Sequence, residues 1–262
     1  MKYISLSSGS CGNSHYIEGK DAKVIVDAGI SGKKILEHLA IHGKDLNGLD
    51  AILVTHEHFD HIQAVGILSR KFDVPIYATE KTWGSMRDHI GKIAEKNIVV
   101  FEKGETLGIG SLEVDTFAIS HDAADPVGYA FRQNGHKLAV VTDLGMVTEE
   151  VFDKIKGADI AVVESNYDDH MLSYCGYTPQ LKRRIRSEVG HLSNSEAGYL
   201  STALVKTGTK KILLAHLSKE SNLPQIAFQT VGTILTEQGL GPKDVSLDVM
   251  LRGKVSRMYS IE

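Results

Sequence analysis

Cysteine is scarce: Cys11 and Cys175 are the only two in 262 residues. Too few and too far apart for a disulfide framework or a cysteine-rich zinc site, they point to reduced thiols in a cytoplasm. No stretch approaches the roughly 18 consecutive apolar residues of a membrane span. The opening Met1-Lys2-Tyr3-Ile4-Ser5 also lacks the apolar core of a signal peptide, so a soluble cytoplasmic protein with no membrane partner is expected. Excess positive charge is missing too. At a formal net charge of -4 no global field draws in a polyanion, and any phosphate recognition has to be local. Linkers, low-complexity blocks and short-period repeats are absent, which excludes a solenoid and favours one domain over residues 1–262.

What is present is a succession of short β-rich runs alternating with helical periodicity. Tyr3–Leu6, His15–Ile17 and Lys23–Asp27 read as strands separated by Gly-rich turns. A helix follows with Ser31 as N-cap and Ile35, Leu36 and Leu39 on one face, stopping near Gly43. Further strands are expected at 50–54, Pro75–Ala78, Ile98–Phe101 and Leu112–Ser120, with a helix from Ile62 to Phe72. Asn134-Gly135 between Val127–Gln133 and Lys137–Thr142 is a two-residue hairpin signal. A short helix, strand Ile160–Glu164, helices at 178–188 and 194–206, strand Lys211–Ala215 and helix Gln225–Gln238 complete the reading. Strands followed by helices in each half predict an α/β protein: two packed sheets with helices on both outer faces, a four-layer αββα sandwich.

The densest chemistry is Thr55-His56-Glu57-His58-Phe59-Asp60-His61, directly after the apolar run Ala51–Val54. On a backbone that stays extended to residue 58, His56 and His58 project to the same side. Asp60 and His61 open the next helix and can converge from another direction. That is more ligand than one zinc ion needs, and two adjacent metal positions describe it better. His121, Asp143 and His216 each follow an apolar or near-apolar run, at the address where a rigid scaffold carries active-site groups. Taken singly each is a turn or capping residue; taken with the cluster they read as further ligands. Alternation turns Glu57 and Phe59 away from the metals.

His56-x-His58-x-Asp60-His61, His121, Asp143 and His216, with Val26-Asp27-Ala28-Gly29 ahead of them, resemble in order and context the signature of metallo-β-lactamase-fold hydrolases. The resemblance spans essentially the whole chain. It implies two divalent metal ions, manganese or zinc with iron also compatible. His56, His58 and His121 would hold one, Asp60, His61 and His216 the other, and Asp143 would bridge them. Asp27 would organise the motif loop, although a turn at a strand end explains it too. Glu164-Ser165-Asn166 and Gly190-His191-Leu192-Ser193-Asn194 resemble the nucleic-acid-processing branch of that fold. There a carboxylate–histidine pair protonates the leaving group, making Glu164 the orienter and His191 the general acid; the implied catalytic set is Asp60, Glu164 and His191. The alternative for His191 is a helix N-terminal residue beside a Ser193 cap.

Those stretches, with Ser7-Ser8-Gly9-Ser10-Cys11-Gly12-Asn13-Ser14 and His216-Leu217-Ser218-Lys219-Glu220-Ser221-Asn222, look most like the small bacterial YycJ/WalJ group. The implied activity is a dinuclear-metal phosphodiesterase acting on nucleic acid, DNA ahead of RNA. A 5′-to-3′ exonuclease with a metal-bridging hydroxide as nucleophile is the leading expectation. A tRNase Z-like RNA endonuclease, a cyclic or dinucleotide phosphodiesterase and a non-catalytic nucleic-acid-binding module are the alternatives, and the oligomeric state is open. Lys182-Arg183-Arg184 and Arg186 read as a solvated helix face ahead of a phosphate grip. The Ser7–Ser14 loop lacks the Gly-Lys-Ser/Thr ending of a Walker loop; it either turns the chain or offers amides to phosphate.

Overall fold

A computed structural model describes residues 1–261. Its strands form two sheets of seven. The first contains β1 (Lys2–Ser7), β2 (Ser14–Glu18), β3 (Lys23–Val26), β4 (Ala51–Leu53), β5 (Ile76–Ala78) and β6 (Ile98–Val100). The second contains β7 (Thr106–Ile109), β8 (Leu112–Ala118), β9 (Val127–Gln133), β10 (His136–Val141), β11 (Ile160–Glu164), β12 (Lys211–Ala215) and β13 (Ser246–Val249). The last strand, β14 (Tyr259–Ser260), returns to the first sheet beside β1. Each sheet is antiparallel in part and parallel in part: β1 to β3 antiparallel and β3 to β6 parallel, then β7 to β10 antiparallel and β10 to β13 parallel.

Parallel strands covered on both faces read as unbroken apolar runs, and Ala51–Leu53 and Ile160–Glu164 are buried throughout. Alternation sorts the first sheet. Tyr3, Ile17, Val24, Val26 and Leu53 face Val114, Tyr129, Phe131, Val140 and Leu213 of the second sheet, whereas Ile4, Leu6, Tyr16, Ile25 and Ile52 face outward. Helices α1 (Gly32–Ile41), α2 (Phe59–Ile62), α3 (Val65–Phe72) and α4 (Glu80–Ile90) follow in the first half, and Ile35, Leu39, Leu68, Trp83 and Met86 cover that outer face. In the second half come α5 (Glu149–Ile155), α6 (Asp169–Tyr174), α7 (Pro179–Ile185), α8 (Asn194–Lys206) and α9 (Pro224–Glu237). Val151, Leu200, Leu204, Ala227 and Val231 of α5, α8 and α9 seal the other sheet. Fully burying each such aliphatic side chain contributes roughly 1.5–3 kcal/mol. The result is the expected four-layer αββα sandwich.

The expected helix from Ile62 to Phe72 is two helices. The chain breaks at Gln63 and Ala64 because the Ala64 amide donates to the Ala28 carbonyl, 2.8 Å away, instead of continuing the ladder. The Ala28 amide in turn donates to the His61 carbonyl at 2.8 Å, riveting α2 to the end of β3. Gly29 is required there: a Cβ on it would stand 1.6 Å from the Asp60 carbonyl oxygen. No helix of the described residues is long and apolar enough to cross a membrane.

Candidate metal centre

The predicted site residues gather at the carboxyl ends of the strands. Asp27 follows β3, the His56–His61 stretch follows β4, His121 follows β8, Asp143 follows β10, Glu164 ends β11 and His216 follows β12. Three of them, Asp27 (φ 58°), Asp143 (φ 59°) and His216 (φ 54°), hold left-handed backbone conformations. A non-glycine residue pays roughly 1–3 kcal/mol for that. The chain turns sharply just past the strand, and only a packed surrounding keeps it there.

His56 and His58 bring Nε2 and Nδ1 within 3.1 Å of each other, and His121 completes a group whose ligand atoms all lie within 4.8 Å. Asp60, His61 and His216 form a second such group, and Asp143 joins His56 and His61 in a third that overlaps both. Behind the inward-facing nitrogens the outer ones are held. His56 Nδ1 meets Thr55 Oγ1 at 3.0 Å, His61 Nδ1 meets Asp27 Oδ2 at 2.8 Å, and His121 Nδ1 meets the Gly190 carbonyl at 3.1 Å. His216 Nδ1 lies 3.0 Å from both Glu164 Oε1 and Asp143 Oδ1. Outer-nitrogen contacts of this kind fix ring orientation and tautomer at metal sites.

Three inward atoms, His121 Nε2, His216 Nε2 and Asp143 Oδ2, are buried without a well-formed hydrogen bond, the last lying 3.2 Å from His61 Nε2. Buried polar atoms are nearly always paired, and these three point into one space from three strands. The donor set of imidazole nitrogens and carboxylate oxygens suits zinc, manganese or iron.

Electrostatics divide the cluster. Burial lowers the His56 ring well below its ordinary range with His61 adding to it, and burial lowers His121 against the pull of Asp143. Burial acts the same way on His61 and His216, but Asp143 above all raises both well above the ordinary value, helped at His61 by Asp27 and Asp60. Asp143 loses water by burial yet is held well below the carboxylate range by His216 and His61.

Glu164, buried completely, anchors the remaining pair. Its Oε1 contacts His191 Nδ1 at 2.8 Å as well as His216 Nδ1, while its Oε2 accepts the amides of Leu144 (2.6 Å) and Leu192 (3.3 Å). Burial opposes its charge, but His191 and then His216 keep its pKa low. Ser193 caps α8 with a reciprocal capping box to Glu196, so the capping expectation holds for Ser193 while the His191 ring turns to Glu164.

Residues 22–217 match the family described as "Beta-lactamase superfamily domain". The chain belongs to the β-lactamase superfamily. It is 43% identical over 241 residues to "Exodeoxyribonuclease YycJ" of Bacillus anthracis, covering 92% of this chain and 91% of that one. "Exodeoxyribonuclease WalJ" of Streptococcus pneumoniae is 41% identical over 243 residues, 92% and 90% of the two chains. The Zn(2+)-bound PqqB from Methylobacterium extorquens shares the fold, with a TM-score of 0.72 over 98% of this chain and 100% of that chain at 17% identity. The protein is a hydrolase of the metallo-β-lactamase fold, with a histidine and aspartate cluster able to bind metal.

Several braces of this superfamily site had no signal in residue type alone. Asn13 Nδ2 lies 3.0 Å from His61 Nε2 and 3.4 Å from Asp60 Oδ2, and the Asn13 amide donates to the Asp60 carbonyl at 2.8 Å. Ser8 Oγ accepts the His216 amide at 2.8 Å. The Ser7–Ser14 loop thus turns the chain and also supports the ligands. Thr55 joins Asp27 through both its amide (2.9 Å) and its hydroxyl (2.8 Å). Glu57 does turn away from the cluster, where it accepts the Ala124 amide at 2.7 Å and clamps the loop after His121. Phe59 is exposed. Cys11 and Cys175 are free, and neither belongs to a ligand group. In the basic run, Arg184 pairs with Asp122, Lys182 with the Ser173 carbonyl and Arg186 with Ser173 Oγ, while Arg183 is exposed. A cavity of about 710 Å³ lies between α9 and β13 and includes none of the site residues.

Proposed function

We propose that the chain, as one domain over residues 1–262, is a two-metal phosphodiesterase of the cytoplasm that acts on nucleic acid, most directly a 5′-to-3′ DNA exonuclease. The observation that carries the metal reading is the set of overlapping histidine and aspartate groups, in which His121 Nε2 and His216 Nε2 are buried with no hydrogen-bond partner. The choice of DNA leans on the exodeoxyribonuclease names of relatives that match nearly the whole chain.

In this reading His56, His58 and His121 would hold one ion and Asp60, His61 and His216 the other, with Asp143 within reach of both groups. Manganese, zinc or iron held there would lower the pKa of water toward neutrality and would supply positive charge for the phosphate oxygens. The rest falls to the protein. Asp60 orients through Asn13, and Asp27 and Thr55 hold the motif loop still. Glu164 holds His191 by Nδ1, so Nε2 is the ring nitrogen left to carry a proton to the leaving oxygen. Glu164 Oε1 also touches His216, which couples the proton donor to a ligand through one oxygen atom.

The test is a panel of end-labelled DNA, RNA and cyclic nucleotides, incubated with metal-stripped protein after addition of manganese or zinc. Mononucleotides released progressively from the 5′ end of DNA are expected. Preferred cleavage of RNA or of a cyclic nucleotide would reject the DNA assignment. His191→Ala should keep both ions and lose about 100-fold or more in turnover. Wild-type rates for that variant on substrates with both good and poor leaving groups would remove His191 from the proton transfer.

A further inference from the structure

Arginines in this protein divide by environment. Arg132, half-buried, is held by Asp115 at 2.8 Å, and Arg87 and Arg183 stand exposed in water. Arg252 fits neither description. It is half-buried, its Nη1 is shut off from solvent with no acceptor, and no ion pair or hydrogen bond joins it to another described residue. Closing Nη1 off without an acceptor is unfavourable, and the rest of the guanidinium is left with no anion of its own.

Its position gives the acceptor a source. The stem of Arg252 lies across Gly9, where a Cβ would come within 2.3 Å of Cγ and 2.8 Å of Cδ and 3.0 Å of the Leu217 carbonyl oxygen. Gly9, at φ +146°, is therefore the seat for this side chain. The loop beneath is the one built into the metal centre. The Gly9 amide donates to Asn13 Oδ1 at 2.9 Å, Asn13 reaches Asp60 and His61, and Ser8 holds the His216 amide. Leu217, the other contact, directly follows His216. At the tip Ser10 and Cys11 are exposed, and their amides donate to no other described residue, while Gly12 turns back to the Gly9 carbonyl at 2.9 Å. The Arg252 stem and the two free amides thus belong to one short turn, in a chain of net charge -4.

We infer that Arg252, seated on the Gly9–Gly12 turn, binds a phosphate group of the substrate strand beside the metal ligands and outside them. The inference rests on the phosphodiesterase reading above. With Nη1 closed to solvent, the phosphate is met by the Nε–H and Nη2–H edge of the guanidinium, two parallel donors, and the turn adds its amides.

Manganese-loaded wild type, Arg252→Met and Arg252→Lys are compared for binding of cleavage-resistant phosphorothioate single strands carrying either a 5′-phosphate or a 5′-hydroxyl, across a salt series. Arg252→Met keeps the stem on Gly9 and removes the charge. Its affinity should fall about tenfold, with a salt slope shallower by about 0.7, and Arg252→Lys should recover part of both. A penalty confined to the 5′-phosphorylated strand identifies the terminal phosphate; an equal penalty on both identifies an internal diester. Thermal unfolding is read alongside, and Arg252→Gln supplies the same comparison should the methionine variant melt early. Equal affinity and slope for wild type and Arg252→Met on both strands overturn the inference. Inorganic phosphate serves as a separate probe: if wild type binds no strand, the phosphodiesterase reading fails by itself, and loss of phosphate binding in Arg252→Met still decides the site.

Discussion

The two candidate ligand groups differ in what stands behind them. His56, His58 and His121 are all imidazole, and their support is short: one hydroxyl on His56, one carbonyl on His121, and for His58 a half-buried ring beside its neighbour. Asp60, His61 and His216 are braced from distant parts of the chain, by Asn13 and Ser8 of the first loop, Asp27 after β3 and Glu164 at the end of β11. Charge follows the same division. Burial lowers His56 and His121 below the ordinary histidine range, whereas carboxylates, Asp143 first, raise His61 and His216 above it. The first group is a set of rings with few contacts behind them; the second is a carboxylate–imidazole network, in which binding a cation would compete with protons.

Asp143 is the member that touches both, and its removal is the severest test of the comparison. Losing a contact behind a ligand commonly costs 10–100-fold in metal affinity or activity, so Asp143→Ala should cost more than about 100-fold in hydrolysis and weaken both ions together. Metal content by mass spectrometry and single-turnover rates on one preparation check this; loss of one ion with the other bound at wild-type strength would make Asp143 a member of one group only.

A milder pair of substitutions separates the groups. His58→Ala and Asp60→Ala should each bring the metal content from two ions toward one, and the doubly substituted protein toward none. Their losses should be additive in the metal titration to within about 0.5 kcal/mol where the sites are independent. If either single variant releases both ions, the division drawn here is wrong and the centre loads as one unit.

Legibility in the sequence followed the same division. The His56–His61 stretch announced itself because β4 is a short apolar strand and the ligands come from one local turn. The second group needed Asp60, His61 and His216 to be joined across the fold, which resemblance implied and periodicity could not. Asn13, Ser8 and Arg252 were illegible as site residues because ordinary polar side chains acquire a role only when a distant segment arrives. Among elements, α4 went unread: Trp83, Met86 and Ile90 do mark one face, but Gly84 and a run of polar residues obscure it. The edge strands β7 and β13 are four residues each. The last, β14, exists through Tyr3 opposite Tyr259, a pairing with no local pattern at all.

Beneath the second group lies a histidine outside the ligand set, and it gives the smallest and cleanest test. His15 sits fully buried between the sheets with Nδ1 2.8 Å from Tyr3 Oη. Burial, reinforced by His61 and His216, lowers its pKa from 6.5 to about 3, and burial raises that of the Tyr3 phenol. The folded state therefore binds the His15 proton more weakly than the unfolded chain does. Its contribution to stability is intact above pH 6.5 and is lost as pH falls toward about 3, at a limiting slope of about 1.4 kcal/mol per pH unit. Urea midpoints of ion-free wild type and His15→Gln between pH 7 and about 4 isolate this slope from the titrating ligands common to both. The wild-type midpoint should fall more steeply than the variant's, whatever their offset at pH 7; parallel curves would mean that His15 already carries its proton in the folded protein, and that the polarity of the second group extends further under the centre than its carboxylates.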